Sequence, residues 1–334
     1  MGPELQVLKG GIFMAVLITG GAGYIGSVML RRLMEEGEDV LVMDSLVCGR
    51  GNTVPDSVPF YNSSLLDSAS LEKVFSENDI DSVIHMAAFS SVGESMNDPL
   101  AYFDNNIGST INLLEAMEKH GTERIVFSSS AAVYGKPLRV PVSENDMTFP
   151  VNPYGETKLQ CERILEWENS LKDIRYISFR YFNAAGASDD GLSGETKPTH
   201  LIPIVLEALI NDKTFDLYGT DYDTPDGTCI RDFIHVEDIA SAHVLALHYL
   251  MGQGDSHVLN LGNSRGYSVM EVIRMAEKIT GKKLKIDLRN RRAGDPPVLI
   301  ADSNKAESIL GWKAERSSLE EMVESGLRFI ENQR

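Results

Sequence analysis

The chain has 334 residues, more than the ~100–200 of a typical single domain, so a sizeable core with two unequal lobes is expected. With 43% hydrophobic and 24% charged residues it has the composition of a soluble globular chain, and no apolar run approaches the ~18 residues that a membrane span needs. A formal charge of −18 argues against nucleic acid as a partner, and it requires that any anionic ligand be met by a few local arginines and a helix N-terminus.

Residues 1–13 hold a single Lys and too short an apolar stretch for a secretory signal, and they precede a strand that opens at Ala15, so they read as a tag remnant or a non-native extension. Short apolar runs at 15–19, 39–43, 82–86, 123–128 and 174–181 predict strands, and stretches of helical period at 24–36, 98–119 and 153–172 predict helices between them. That alternation implies an α/β fold with a parallel, doubly wound sheet of the Rossmann type. Past Asn183 the texture turns to Gly, Ser, Asp and Pro, with a Pro-Asp-Gly turn at 225–227, which marks a departure from the sheet. A helix at 236–250 and a strand at 257–261 are expected to rejoin it. The first domain is therefore expected at 14–182, joined by 232–262, with a smaller α/β lobe built from 183–231 and 263–334. Cys48, Cys161 and Cys229 are odd in number, with no CxxC pair and no metal-ligand spacing, which fits free thiols in a reducing cytoplasm and no bound metal.

Thr19-Gly20-Gly21-Ala22-Gly23-Tyr24-Ile25-Gly26 follows the first strand and opens an amphipathic helix. Glycines at 20, 23 and 26 permit a tight turn, close approach of backbone amides to a pyrophosphate, and packing of helix on strand. A glycine triplet alone is weak, but Asp44 ends the next strand 18 residues past Gly26 (44 − 26). A carboxylate there accepts from both ribose hydroxyls and repels a 2′-phosphate, so NAD is preferred over NADP.

Further on, Tyr154 and Lys158 stand four apart on a helix that starts beside Pro153, so both side chains share one face. Tyrosine is a poor base near its ordinary pKa of ~10, but an adjacent ammonium and a positive nicotinamide ring both favour the phenolate. Ser128-Ser129-Ser130 ends an apolar strand at the carboxyl edge, where doubly wound sheets bind ligands. Ser130 is placed there to relay a proton. Alone, each motif is also compatible with a solvated helix face or a loop. Their order after the glycine fingerprint points to catalysis.

Over nearly all of residues 14–330 the chain resembles the UDP-glucose 4-epimerases of the extended short-chain dehydrogenase family. The resemblance is carried by Val83-Ile84-His85-Met86-Ala87-Ala88, Asp104-Asn105-Asn106, Ser128-Ser129-Ser130-Ala131-Ala132-Val133-Tyr134-Gly135 and Arg180-Tyr181-Phe182-Asn183. Ile230-Arg231-Asp232-Phe233-Ile234-His235-Val236 and Arg291-Arg292-Ala293-Gly294-Asp295-Pro296 extend it. It implies catalysis by Ser130, Tyr154 and Lys158. It implies NAD held by Gly20, Gly23, Tyr24, Ile25, Gly26, Asp44, Leu65, Ala87, Ala88, Asn105 and Lys158. The same resemblance implies a UDP-sugar site made of Ser130, Tyr154, Asn183, Leu201, Tyr218, Arg231, Arg292, Asp295 and Leu299, and a homodimer paired through helices 98–119 and 153–172. Three positions depart from the family pattern: Ser64-Leu65 where some members carry an acid for the adenine amino group, Ser90 where they carry a Lys, and His200 where they carry an Asn.

The implied activity is epimerisation at carbon 4 of UDP-galactose or UDP-glucose, by transient hydride transfer to NAD, with Tyr154 exchanging the hydroxyl proton directly or through Ser130. Leu299, four residues after Asp295, stands where some members place a tyrosine beside the sugar 2-substituent, so UDP-N-acetylhexosamines are expected to enter as well. A UDP-uronate 4-epimerase shares this chemistry and stays open as an alternative. A 4,6-dehydratase is less favoured, since Ala131-Ala132 stand where dehydratases resemble an Asp-Glu pair, and so is a catalytically silent NAD-binding regulator.

Overall fold

The computed structural model describes residues 15–292 and 295–334, and the expected extension at 1–13 lies outside them. The first half of the chain runs β1 (Ala15–Thr19), α1 (Tyr24–Glu35), β2 (Val40–Asp44), β3 (Phe60–Asn62), α2 (Ser68–Glu77), β4 (Ile80–His85), α3 (Val92–Asn97) and α4 (Pro99–Phe103). After a π-helical turn at Asp104–Gly108 come α5 (Ser109–His120), β5 (Arg124–Ser130), α6 (Pro153–Lys172) and β6 (Arg175–Tyr181). The rest comprises β7 (Asn183–Ala185), α7 (Leu201–Ile210), β8 (Thr214–Tyr218), β9 (Ile230–His235), α8 (Val236–Met251), β10 (His257–Leu261) and β11 (Gly266–Ser268), then α9 (Val269–Thr280), β12 (Lys285–Arg289), β13 (Val298–Leu299), α10 (Asn304–Leu310) and α11 (Leu319–Asn332).

Seven strands form one parallel sheet in the order β10-β6-β5-β4-β1-β2-β3. Its central strands are apolar on both faces because helices cover both. Val16 and Ile18 of β1 pack with Leu30 and Leu33 of α1 and Ile239 and Leu247 of α8. Leu17, the intervening residue, packs on the other side with Leu71 of α2, Leu113 and Met117 of α5 and Leu165 of α6. Such two-sided burial selects a parallel sheet with crossover helices. The strand order leaves the carboxyl ends of β1, β4 and β5 side by side, and that edge is where the reactive residues lie.

The remaining strands build two smaller sheets. Strand β9 pairs with β7 and β13 in parallel and with β11 antiparallel, while β8 pairs with β12 in parallel. Helices α7, α9 and α11 close a separate apolar core around Leu206, Val272 and Met322.

Two features differ from the sequence expectation. The helix anticipated over 98–119 is interrupted by the π-helical turn, which separates α4 from α5 at Asn105 and Asn106. Strand β3 and helix α2 also fall in a stretch where the sequence pattern predicted no element. Phe60-Tyr61-Asn62 is only partly covered at the sheet edge, so it lacks a strong alternating pattern. Among the described residues no helix is long and apolar enough to cross a membrane.

Candidate active site

At the carboxyl end of β1 the chain makes a turn that only glycine tolerates. Gly20 has φ +75°, and a Cβ there would lie 2.6 Å from the Ala87 nitrogen. A Cβ on Gly26 would lie 2.1 Å from the Gly20 carbonyl oxygen. Helix α1 starts with Gly23 at its N-cap and no side chain covering its first amides, which suits a pyrophosphate. Asp44 accepts from Ala22 N at 3.0 Å through Oδ2 and from Leu46 N at 2.8 Å through Oδ1, leaving each oxygen a further lone pair for a ribose hydroxyl. Burial pushes the Asp44 carboxyl up, opposed by those two backbone bonds.

The other residues expected at the cofactor are spread around this cradle. Tyr24 donates to the Gly186 carbonyl at 2.7 Å and so ties α1 to the segment after β7. Ile25 packs against the core beneath α1. Leu65 is buried in the opposite core, with its carbonyl accepting from Asn112, so whatever it offers a cofactor comes from its backbone. Ala87 and Ala88 follow β4, and Ala87 closes against Gly20. Asn105 lies in the π-helical turn and donates to Asn106 Oδ1 at 3.0 Å. A glycine cradle, an open helix N-terminus and a ribose-facing carboxylate together fit a dinucleotide.

Next to the cradle, β5 ends at Ser130 and α6 begins at Pro153, capped by Asn152, whose Oδ1 accepts from Gly155 N at 2.8 Å. Gly155 sits against the turn that follows Ser130, since a Cβ on it would lie 2.6 Å from the Ala132 carbonyl oxygen. This close approach sets the first turn of α6 against the end of β5. Ser130 Oγ accepts from Ala132 N at 3.1 Å, so its own proton remains to be given elsewhere. Lys158, one turn on, is 4% exposed and donates to the Ser128 carbonyl at 2.7 Å.

The electrostatics differ from the simple expectation of a lowered tyrosine. Burial holds the Tyr154 phenol above its ordinary value, opposed by the Ser130 hydroxyl beside it. The Lys158 ammonium is pushed down to about 8 by burial, against the influence of Cys161 and Glu162. For both groups desolvation by burial is the largest influence.

In the second lobe, the Arg292 guanidinium stacks 4.2 Å from the Tyr218 ring, and Arg231 Nη2 lies 3.2 Å from Asp295 Oδ1. Arg231 Nη2 is buried and has no aligned hydrogen bond among the described residues, which leaves a donor for an anion. Leu299 stands opposite Arg231 in the β13–β9 register and packs beside Ala131, Tyr134 and Leu159. It thus links the arginine group to the turn after Ser130. Asn183 follows β6 and donates to the Asp232 carbonyl at 2.7 Å. Leu201 opens α7 and packs on the apolar core closed by α7, α9 and α11. His200 pairs with Glu195 at 2.9 Å and lies 6.1 Å from the Tyr24 ring.

A parallel sheet with this glycine cradle and a Ser-Tyr-Lys set defines a dinucleotide-dependent enzyme of the short-chain dehydrogenase class. The chain belongs to the NAD dependent epimerase/dehydratase family, whose profile matches residues 16–262. It is 45% identical over 322 residues to the UDP-glucose 4-epimerase of Lacticaseibacillus casei, covering 96% of this chain and 97% of that protein. Among solved structures it is similar to the UDP-glucose 4-epimerase from Brucella ovis in complex with NAD, with a TM-score of 0.91 at 41% identity, covering 95% of this chain and 98% of the other. The Bifidobacterium longum enzyme, solved with NAD+ and UDP, has a TM-score of 0.88 at 40% identity, covering 96% and 98%. NAD is the cofactor of this family.

Several buried polar residues that support the site were not among the residues expected there. Glu162, one turn beyond Lys158, accepts from Ser129 and from Arg180 Nη2, the latter at 2.6 Å. Asp232 is fully buried and accepts from the backbone of Asn263, Ser264 and Ala301 at 2.7–3.0 Å, with burial raising it to about 7 despite those bonds. Spacing from Lys158 was the one available clue to Glu162. His243 Nδ1 donates to the Ile239 carbonyl at 2.9 Å, so its Nε2 accepts from the Tyr181 hydroxyl at 2.6 Å, and Tyr181 in turn accepts from Ser128 Oγ at 2.8 Å.

That bonding pattern requires neutral His243, and burial lowers it to about 4, opposed by the Ile239 carbonyl. The unfolded chain then binds the proton first, so this residue's stabilisation is complete above about 6.5 and is lost as pH falls towards about 4. His243→Gln is expected to lower stability outright but to flatten the stability–pH curve in that window by about one proton. Chemical denaturation across the window checks this; an unchanged slope would show that His243 does not titrate there.

Proposed function

We propose that the protein is a UDP-sugar 4-epimerase that interconverts UDP-galactose and UDP-glucose. The observation that carries this reading is the meeting of Ser130, Tyr154 and buried Lys158 at the carboxyl edge of the sheet, beside Ala131 and Ala132, which offer neither acid nor base for eliminating water. Bound NAD supplies reversible hydride acceptance at carbon 4 of the sugar. The protein supplies the proton chemistry. Tyr154 Oη takes the 4-hydroxyl proton, directly or through Ser130 Oγ, and returns it to the oxygen of the inverted product, so the residue ends as it began. Lys158 places a positive charge near that exchange and stabilises the phenolate while it lasts.

Arg231 and Arg292 offer planar donors for the diphosphate, which anchors the nucleotide while the sugar presents either face. A homodimer is proposed on the exposed apolar side chains of the α4–α6 surface: Leu100 on α4, Ile111 on α5, Trp167 and Leu171 on α6. Three free thiols, with Cys48 exposed, support placement in the cytoplasm.

Incubation with UDP-galactose should yield UDP-glucose without stoichiometric reduced cofactor, and Tyr154→Phe should slow turnover by ~10²–10⁴-fold while leaving UDP affinity intact. Stoichiometric accumulation of reduced NAD with an oxidised sugar would instead indicate a dehydrogenase. For the sugar pocket, Leu299 leaves room near carbon 2, so UDP-N-acetylgalactosamine is expected as a second substrate. Leu299→Tyr should then depress kcat/KM for the acetylated sugar selectively, on the scale of ~10–200-fold. Equal losses on both substrates would remove Leu299 from that role. As for assembly, sedimentation should report twice the chain mass, and Trp167→Asp should shift the species towards monomer; a parental chain that sediments as a monomer contradicts the dimer.

A further inference from the structure

Tyr222 takes no part in the site as built above, and nothing in the sequence pattern singles it out. It is 5% exposed, on the turn that leaves β8, and its Oη has no hydrogen-bond partner among the described residues. A buried hydroxyl in that condition has given up water without gaining a partner, which is uncommon in a folded protein. Arg231 Nη2 is left in the same way.

The ring is nevertheless firmly held. Gly219 makes room for it, since a Cβ there would lie 2.4 Å from Cε2, and the Arg291 guanidinium stacks 4.4 Å from the ring centre. Arg291 is itself fixed by Asp221, through Nε to Oδ1 at 2.7 Å and through Nη2 to the carbonyl. The backbone is closed as well: Tyr222 N donates to the Gly227 carbonyl and Thr224 N donates to the Tyr222 carbonyl, both at 2.9 Å. The hydroxyl is therefore aimed by the fold and has little freedom to seek a partner within it.

Its neighbours define the chemistry it can meet. Burial raises the phenol above its ordinary value, with Asp295 and Cys229 acting in the same direction and Arg231 and Arg291 against it. The phenol thus keeps its proton and can donate. Asp295 also stands 3.2 Å from Arg231 Nη2, so one carboxylate lies beside both unpartnered groups. An atom that satisfies a guanidinium N–H must be an acceptor, and the phenol can meet the same acceptor only by donating. A phosphate oxygen answers both donors, where a cation or an apolar group would answer neither. The Arg292 guanidinium, stacked on Tyr218 at the end of β8, adds its charge from the adjoining stack.

We propose that Tyr222 is a ligand-binding residue whose hydroxyl donates to the diphosphate of the nucleotide beside Arg231, and that Arg291 and Asp221 hold its ring for that contact. The proposal rests on the UDP-sugar reading for the identity of the nucleotide.

The test is Tyr222→Phe, which keeps the ring and its stack and removes only Oη. In the NAD-loaded protein, UDP affinity read by calorimetry should fall ~10–100-fold, the scale of one hydrogen bond to a charged group. KM for UDP-galactose should rise to match while kcat changes less than about twofold, because a contact to the diphosphate is the same in bound substrate and transition state. The unfolding midpoint without UDP should hold or rise, since the deleted hydroxyl had no partner, and the stabilisation that UDP confers should shrink. Uridine, which has no phosphate, should bind parent and variant alike. Unchanged UDP affinity in Tyr222→Phe overturns the proposal, whether or not the midpoint without UDP falls. Equal losses for uridine and UDP overturn it too, because the hydroxyl would then face the nucleoside. A parent that binds UDP but leaves UDP-galactose unconverted refutes the epimerase reading, and the UDP comparison still decides the role of Tyr222.

Discussion

Lys158 is an ammonium in the interior of the protein, and the arrangement of the active site follows from how that charge is accommodated. An unpaired buried cation is costly, so it needs an acceptor and a favourable field. The Ser128 carbonyl supplies the first at 2.7 Å, and the face of Phe127, 4.9 Å away, together with the nearby Glu162 carboxylate supplies the second. Strand β5 is thereby bound to the middle of α6. Glu162 extends the seam to Ser129 on the same strand and to Arg180 on β6, and Arg180 continues to Tyr134 at 3.0 Å, which reaches Asn260 of β10 at 2.6 Å. Removing one member of such a buried ion pair generally costs ~3–5 kcal/mol. Ser130 is the next residue of the strand, and Tyr154 is one turn back on the helix, so both inherit their positions from this seam.

A second constraint is charge. With 49 acidic and 31 basic residues, the protein as a whole repels a nucleoside diphosphate. Local devices must overcome that field. The N-terminus of α1 carries no side-chain cap, and in the proposed reading it would meet one pyrophosphate while Arg231 and Arg292 would meet the other. Stacking on Tyr218 fixes the plane of the Arg292 guanidinium, and Asp295 holds Arg231 from one side, so both donors are preorganised.

The parts of this structure that follow from local pattern were legible in the sequence. Alternating apolar runs and helical periods marked the parallel sheet, because strands buried on both faces are apolar throughout. Gly20 and Gly26 were legible because a Cβ on either would strike backbone, that of Ala87 for the first and of Gly20 for the second. Tyr154 and Lys158 were legible from their spacing. The π-helical turn was not, since Leu100 to Met117 keeps helical character on either side of it and the wider turn depends on bonds from Asn106 to residues 17 and 51 positions away. Glu162, Asp232 and His243 likewise act through partners distant in sequence. The raised pKa of Tyr154 was missed for a related reason: desolvation depends on what the fold packs around a group, whereas spacing reveals only its neighbours along the helix.

The central claim is that one seam holds Ser130, Tyr154 and Lys158 where a hydride can leave carbon 4 of the sugar and return to the same carbon. The most direct measurement uses UDP-galactose deuterated at carbon 4 in ordinary water, with the product analysed by mass spectrometry and proton NMR. The account predicts UDP-glucose that keeps its deuterium at carbon 4, because the hydride stays within the site while only the hydroxyl proton exchanges through Tyr154. UDP-glucose carrying solvent hydrogen at carbon 4 would contradict it.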